Sequence, residues 1–239
     1  MKKLSVLIPA YNEEKTICTV LDKVISVRLL DDIKKEIIVI NDCSRDSSEE
    51  KILDYIKTHP DICIQYVKHE INQGKGAAIH SGISKASGDF IIIQDADLEC
   101  DPNEFNLLLK PMYEDYADVV FGSRFAGGNT HRVLRKRNLN ANKFLTWLTN
   151  VFTGLTITDM ETCYKLFKAD IIKKIHLTEK RFGFEPEVTI KVARIPKIKL
   201  YEISISYYAR GIDEGKKIGW KDGVRAVYCI LKYGLFRAK

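Results

Sequence analysis

Phe90-Ile91-Ile92-Ile93-Gln94-Asp95-Ala96-Asp97-Leu98-Glu99 is the stretch that decides how this chain is read. Four aromatic or β-branched residues in a row form a strand with no wet face, which belongs in a sheet covered on both sides. Carboxylates then appear where the strand must stop. Alternation along an extended segment sends Asp95, Asp97 and Glu99 to the same side, and carboxylates crowded together repel one another unless a cation offsets them. Hard divalent ions such as Mg²⁺ or Mn²⁺ prefer oxygen ligands and share them with substrate phosphates. A solvated turn is the plainer alternative for so short a motif.

The residues upstream repeat a strand-then-helix pattern. Leu4–Pro9 reads as a buried strand and Asn12–Val27 as a helix with Ile17, Val20, Leu21, Val24 and Val27 on one face. Glu36–Asn41 reads as a second strand, and Asp46 or Ser47 can cap a helix that turns Ile52, Leu53 and Ile56 inward. Ile62–Val67 is a third strand, and Gly74–Ala86 a glycine-led loop and helix. Such units predict an α/β fold, with a mostly parallel central sheet and helices on both faces. Ligands bind such sheets at the carboxyl ends of the strands. Ala10-Tyr11-Asn12-Glu13, Asn41-Asp42 and Asp95-Ala96-Asp97 therefore collect on one edge.

Asp42 could accept a hydrogen bond from a nucleobase or ribose, or cap the helix that follows it. Asn72-Gln73-Gly74-Lys75-Gly76 permits a tight turn and sets Lys75 just before a helix amino terminus, which favours a diphosphate. It lacks the spacing and the Lys-Ser/Thr ending of a P-loop. No GxGxxG follows the first strand, where Pro9-Ala10-Tyr11-Asn12 stands instead, which disfavours a dinucleotide-binding dehydrogenase.

The second half is less regular. Asp118–Gly122 and Tyr164–Phe167 read as strands, Lys199–Tyr208 as one or two more, and Asn138–Phe152 as a helix. Pro186 suits the first turn of a helix ending near Arg194. In a terminal helix over Gly219–Phe236, Trp220, Val224, Val227, Tyr228, Leu231 and Leu235 make an apolar stripe flanked by Lys221, Arg225, Lys232 and Arg237. Packing against the core is the expected use of such a stripe, and an interfacial helix is the alternative.

With 239 residues, 45% hydrophobic and 29% charged, the chain suits one globular domain over 1–239. No apolar run is long enough to span a bilayer, and the amino terminus lacks the features of a signal peptide. A cytoplasmic location is expected, with peripheral membrane contact left open. The six cysteines stand singly without a CxxC, as in a reduced compartment, and do not suggest a structural metal site. The net charge of +6 is unevenly placed. Between 119 and 158 there is no acidic residue, while Arg124, Arg132, Arg135, Lys136, Arg137 and Lys143 all fall there. That pattern suits a phosphate or an anionic lipid. Nucleic acid is not expected, because the basic block lacks interleaved stacking aromatics.

Pro9-Ala10-Tyr11-Asn12-Glu13-Glu14, Asn41-Asp42-Cys43-Ser44-Arg45-Asp46, Asn72-Gln73-Gly74-Lys75-Gly76 and Asp95-Ala96-Asp97-Leu98-Glu99 occur in this order. Together they resemble the family 2 glycosyltransferases, inverting enzymes of the GT-A fold. Gly122-Ser123-Arg124-Phe125 extends the likeness toward the polyprenyl-phosphate hexose synthases.

The resemblance implies a nucleotide-diphosphate sugar, GDP- or UDP-linked, with Pro9, Tyr11, Glu13 and Asp42 on the nucleoside. It implies Mg²⁺ or Mn²⁺ held on the diphosphate by Asp95, Asp97 and Glu99, where relatives often carry glutamine at the last position. It also implies a nucleotide-sugar-binding half over 1–122 and an acceptor-binding half over 123–239. Lys75 would face the donor diphosphate, joined by Arg210 with Lys216 or Lys217. For the acceptor, Asp159 or Glu161 would serve as base toward a glycan or lipid-linked hydroxyl. Arg124, with Arg132, Arg135 or Arg137, would instead hold a polyprenyl phosphate, which the acid-free basic stretch favours. Glu185, in Phe182-Gly183-Phe184-Glu185-Pro186-Glu187, is a candidate for sugar recognition. A non-catalytic sugar-nucleotide-binding or membrane-scaffold protein is the alternative of another class.

Overall fold

The computed structural model describes residues 2–130, 132, 133, 136–209 and 219–236. Its elements run β1 (Lys3–Ala10), α1 (Ile17–Ser26), β2 (Lys34–Asn41), α2 (Ser48–Thr58), β3 (Ile64–Lys68), α3 (Lys75–Lys85), β4 (Phe90–Ile93) and α4 (Phe105–Tyr113). They continue with β5 (Val119–Ser123), α5 (Lys136–Thr153), β6 (Lys165–Lys168), α6 (Ala169–Ile172), α7 (Phe184–Ala193), β7 (Leu200–Ser204) and α8 (Trp220–Leu235).

The seven strands form one sheet in the order β3-β2-β1-β4-β6-β5-β7. β1 to β4 are mutually parallel, and β6 runs antiparallel to both β4 and β5. Strand alternation sorts the core into two layers. Leu4, Val6 and Ile8 of β1, with Phe90 and Ile92 of β4, pack under α1, α2 and α4. Leu7, Ile91 and Ile93 face α3 and α7 on the other side. The expected mostly parallel sheet with helices on both faces is therefore present. A third cluster joins Leu145 of α5, Ile190 of α7, and Ala226, Cys229, Ile230 and Tyr233 of α8.

One local reading is corrected. The first helix starts at Ile17 rather than Asn12, because Asn12 adopts φ 51°, in the left-handed region. The Asn12 N–H donates to Ser44 Oγ (3.0 Å), the Arg45 N–H to Asn12 Oδ1 (2.8 Å), and the Glu13 N–H to Ser48 Oγ (2.8 Å), so the loops after β1 and β2 are laced together. Helix α4, to which no sequence expectation attaches, carries Pro111 in its interior. Burial of Phe105, Leu108, Leu109 and Met112 on the sheet offsets the cost of the interior proline.

The strand order reverses at β1, which has β2 on one side and β4 on the other. Crevices that bind ligands open at such a reversal, outside the carboxyl ends of the strands. The Gln94 N–H donates to Leu7 O at 2.9 Å, which brings the residues following β4 beside the end of β1.

Candidate active site

A cleft of about 900 Å³ opens at this reversal. Pro9, Tyr11, Glu13, Asp42, Lys75, Asp95, Asp97, Glu99, Arg124 and Glu161 all line it. Asp159 lies behind that wall, completely buried. Arg135 and Arg210, with Lys216 and Lys217, lie outside the described residues, as does the side chain of Arg137.

Asp42 is built into the floor rather than capping α2. Its Oδ1 accepts from His69 Nδ1 (2.7 Å) and the Gln73 N–H (2.9 Å). Its Oδ2 accepts from Asn72 Nδ2 (2.9 Å) and the Gly74 N–H (2.7 Å). Four donors fill the lone-pair positions of one carboxylate and lock the turn that delivers Lys75. Gly74 needs its glycine, since φ is +97° and a Cβ would lie 2.6 Å from Lys180 O. A Cβ at Gly76 would lie 2.3 Å from Glu179 O. The glycines thus let α3 dock against the 179–181 backbone, and the Ala77 N–H donates to Lys180 O at 2.9 Å. This amends the expectation of an open anion-binding helix end, because part of that end is already taken by protein.

Lys75 Nζ sits 2.9 Å from Asp95 Oδ2 and 3.2 Å from Glu185 Oε1. Burial works against its charge, but Asp95 and Glu185 outweigh burial and hold its pKa well above the ordinary value. A permanent cation therefore stands beside the acidic turn.

That turn is not extended. β4 ends at Ile93, and Leu98 adopts φ 62°. Side-chain alternation is lost there, so the expected three-carboxylate set is corrected. Glu99 Oε2 accepts from Tyr207 Oη at 2.6 Å, and Asp97 Oδ1 accepts from the Glu99 N–H at 3.1 Å. Among the described residues no three His, Cys, Asp or Glu side chains converge to hold an ion. The oxygen donors of Asp95 and Asp97 on the cleft wall still fit a hard ion bound through one or two carboxylates and completed by phosphate and water, as Mg²⁺ usually is.

Asp159 is corrected as a base. Arg124 Nε donates to its Oδ2 at 2.6 Å, Arg124 Nη2 to its Oδ1 at 2.7 Å, and the Arg124 N–H to Oδ2 at 3.0 Å. Arg124 also stacks over Tyr207, 4.9 Å from the ring centroid. Its charge on the cleft wall is thus shared with Asp159 rather than wholly directed at a ligand.

Glu161 behaves differently. Its Oε1 is buried without a hydrogen-bond partner among the described residues, and so are Thr162 Oγ1 and Glu185 Oε2. All three residues line the cleft. Burial, with the Glu185 carboxylate adding to it, pushes the Glu161 pKa up to about 7 against the pull of Lys165 and Arg124. Buried polar atoms are rarely left unpaired, and these three give the cleft wall hydrogen-bonding capacity that the described residues do not use.

Two supporting residues escape sequence reasoning. Lys165 is fully buried, and its Nζ donates to Met160 O (2.8 Å) and Thr162 O (2.5 Å), which holds the Glu161 loop in place. A lysine inside Tyr164-Lys165-Leu166-Phe167 was the available signal. Tyr207 bridges Glu99 and Arg124, and nothing in its neighbourhood in sequence marks it.

Comparison with known proteins bears on the family and the fold. Residues 5–176 match the family described as Glycosyl transferase family 2. A dolichyl-phosphate beta-glucosyltransferase of Trichomonas vaginalis is 29% identical over 247 residues, covering 98% of this chain and 73% of that protein. A dodecaprenyl-phosphate galacturonate synthase of Rhizobium johnstonii is 25% identical, covering 87% of this chain and 60% of that protein. The fold is similar to that of glucosyl-3-phosphoglycerate synthase from Mycobacterium tuberculosis, solved with Mn²⁺, uridine diphosphate and phosphoglyceric acid. That likeness has a TM-score of 0.75 at 18% identity, covering 98% of this chain and 78% of that one. The sheet is accordingly of the GT-A type, and the chain belongs to glycosyl transferase family 2.

Proposed function

We propose that the protein transfers a hexose, with inversion, from a nucleotide-diphosphate sugar to a polyprenyl phosphate. The observation that carries this reading is the trio of buried acceptors Glu161 Oε1, Thr162 Oγ1 and Glu185 Oε2, without a partner among the described residues, in the cleft that Lys75, Asp95 and Asp97 also line. Sugar hydroxyls would satisfy the trio, and the diphosphate would meet Lys75. Pro9, Tyr11 and Glu13 would take the nucleoside, and Asp42, its oxygens already filled by the Asn72–Gly74 turn and His69, would shape that end of the cleft rather than bond the nucleoside itself. Asp97 with Asp95 would hold Mg²⁺ or Mn²⁺, which when bound offsets the charge growing on the leaving diphosphate. Lys75 stabilises the same charge from the protein side.

A phosphate acceptor is already anionic and needs positioning more than deprotonation. The first turns of α5 supply Asn138, Ala141 and Asn142 to the cleft, inside a stretch with no acidic residue. A helix amino terminus suits an anion, and both relatives named above act, by their names, on a polyprenyl phosphate. We assign 1–122 to the donor and 123–239 to the acceptor within one domain, with Glu185 reaching back to Lys75. Arg135, Arg137 and Arg210 keep their proposed phosphate roles. A polyprenyl phosphate is held in a membrane, so we place the protein peripherally at the membrane surface, on the cytoplasmic side; no helix among the described residues is long and apolar enough to cross a membrane.

A hydroxyl acceptor is the second reading, favoured by Glu161, whose pKa near 7 suits a general base. Product analysis after incubation with a panel of GDP- and UDP-sugars and a short polyprenyl phosphate tests the proposal. A glycosylated lipid phosphate plus a nucleoside diphosphate is expected. Formation of neither with any donor would overturn it.

A further inference from the structure

Helices α5 and α8 pack against one another, and each is used on two sides. The first half of α5 gives Asn138, Asn142 and Leu145 to the cleft, while the start of α8 gives Asp222, Gly223 and Ala226. Toward their carboxyl ends the helices touch closely, since a Cβ at Gly234 would meet the Phe152 ring at 2.7 Å. The expectation that the α8 stripe is spent on the core needs amending. Ala226, Cys229, Ile230 and Tyr233 fill the core, but Val224, Tyr228, Leu231 and Leu235 form a separate exposed row along one helical side.

α5 carries a matching row. Phe144, Trp147 and Val151 are exposed at helical spacing, with Trp147 58% exposed, and the Phe144 and Trp147 rings lie 5.9 Å apart. Large apolar side chains concentrated on two neighbouring helices are unusual on a protein that meets only water. Phe, Trp and Tyr in such rows suit the boundary between lipid headgroups and acyl chains.

The exposed charges on the two helices are basic, although Arg225 and Lys232 share theirs with the buried Glu179, at 2.6 Å and 3.1 Å. Lys136 and Lys143 are exposed on α5, which contains no acidic residue. Lys221 and Arg225 are exposed on α8, where the single acid, Asp222, turns back to accept from the Gly219 N–H at 2.9 Å. A second protein of ordinary composition does not demand this pattern, whereas an anionic lipid surface complements it.

We infer that the exposed rows of α5 and α8, with their basic flanks, are a docking surface for an anionic bilayer. The inference rests on the lipid-phosphate reading for its purpose. Because the same two helices wall the cleft, docking would bring the cleft to the headgroup layer, where a polyprenyl phosphate presents its phosphate.

Flotation of the full chain with phosphatidylcholine vesicles, with and without phosphatidylglycerol, tests this directly. Binding to the anionic vesicles and weak binding to the neutral ones are expected. A Phe144→Ser/Trp147→Ser protein should lose at least tenfold in partitioning while melting as the parent does. Should that protein not fold, Lys143→Glu/Lys221→Glu reads the same surface. Each lysine near an anionic membrane contributes about fivefold, so at least a tenfold loss is expected there too.

Equal flotation of parent and variants would overturn the inference, and so would a parent that binds neither vesicle. A concentration-dependent dimer abolished by Trp147→Ser would assign the surface to a second copy instead. Flotation needs no turnover. A failure here therefore leaves sugar transfer to a water-soluble phosphate acceptor standing, and loss of that transfer leaves flotation interpretable.

Discussion

Arg124 and Asp159 are joined through both prongs of the guanidinium, at 2.6 Å and 2.7 Å, in the wall of the cleft. Asp159 is fully buried and the Arg124 side chain is 12% exposed, so the pair acts as one planar unit. Asp159 raises the Arg124 pKa well above its ordinary value despite the opposing effect of burial. The carboxylate that sequence offers as a base is thus the residue that aims the arginine.

Removing one member of this pair strands a buried charge. Asp159→Ala should lower stability by about 3–5 kcal/mol, measured by urea denaturation. Asp159→Leu combined with Arg124→Met should recover most of that loss, since no charge is then left unpaired. A single variant as stable as the parent would contradict the geometry.

Glu161 predicts a pH dependence. Its folded pKa of about 7 lies above the ordinary value of 4.5. Between those two values the folded protein keeps a proton that the unfolded chain has released, so stability falls as pH rises through the window. Glu161→Gln removes this contribution. Its melting temperature relative to the parent should therefore rise from about pH 5 to about pH 8, as thermal melts across that range would register. A constant difference would mean that Glu161 is ionised throughout.

Asp42 holds the Asn72–Gly74 turn through four hydrogen bonds. An asparagine presents N–H donors where one of the oxygens now accepts. Asp42→Asn should therefore cost about 1–3 kcal/mol of local stability for each buried donor left unpaired. Hydrogen exchange of the Gln73 and Gly74 amides should quicken, and protection at the parent level would show that the turn is held by other means.

The donor edge was legible because burial and strand period are local. A run such as Ile37-Ile38-Val39-Ile40 announces a strand covered on both faces, and the strand-end rule then gathers Asp42 and Asp95 on one edge. What stayed hidden depends on contacts distant in sequence. Tyr207 reaches Glu99 across 108 positions, and Arg124 meets Asp159 across 35. The pairing of Lys75 with Glu185 joins the two ends of the site. Leu98 hid the true shape of the acidic turn, because a leucine gives no warning of a positive φ. The terminal helix misled in a different way, since four residues of its expected stripe, Val224, Tyr228, Leu231 and Leu235, stay exposed, while the core takes Ala226, Cys229, Ile230 and Tyr233 from the other side.

The central claim is that the acceptor is a phosphate rather than a hydroxyl. The most direct measurement compares nucleoside diphosphate release with one polyprenyl chain supplied as the phosphate and as the free alcohol, with Mn²⁺ or Mg²⁺ present. Turnover with the phosphate, near-background release with the alcohol, and loss of turnover in Asp97→Ala or on chelation are predicted. Equal or faster transfer to the alcohol would contradict the account and hand the base role to Glu161.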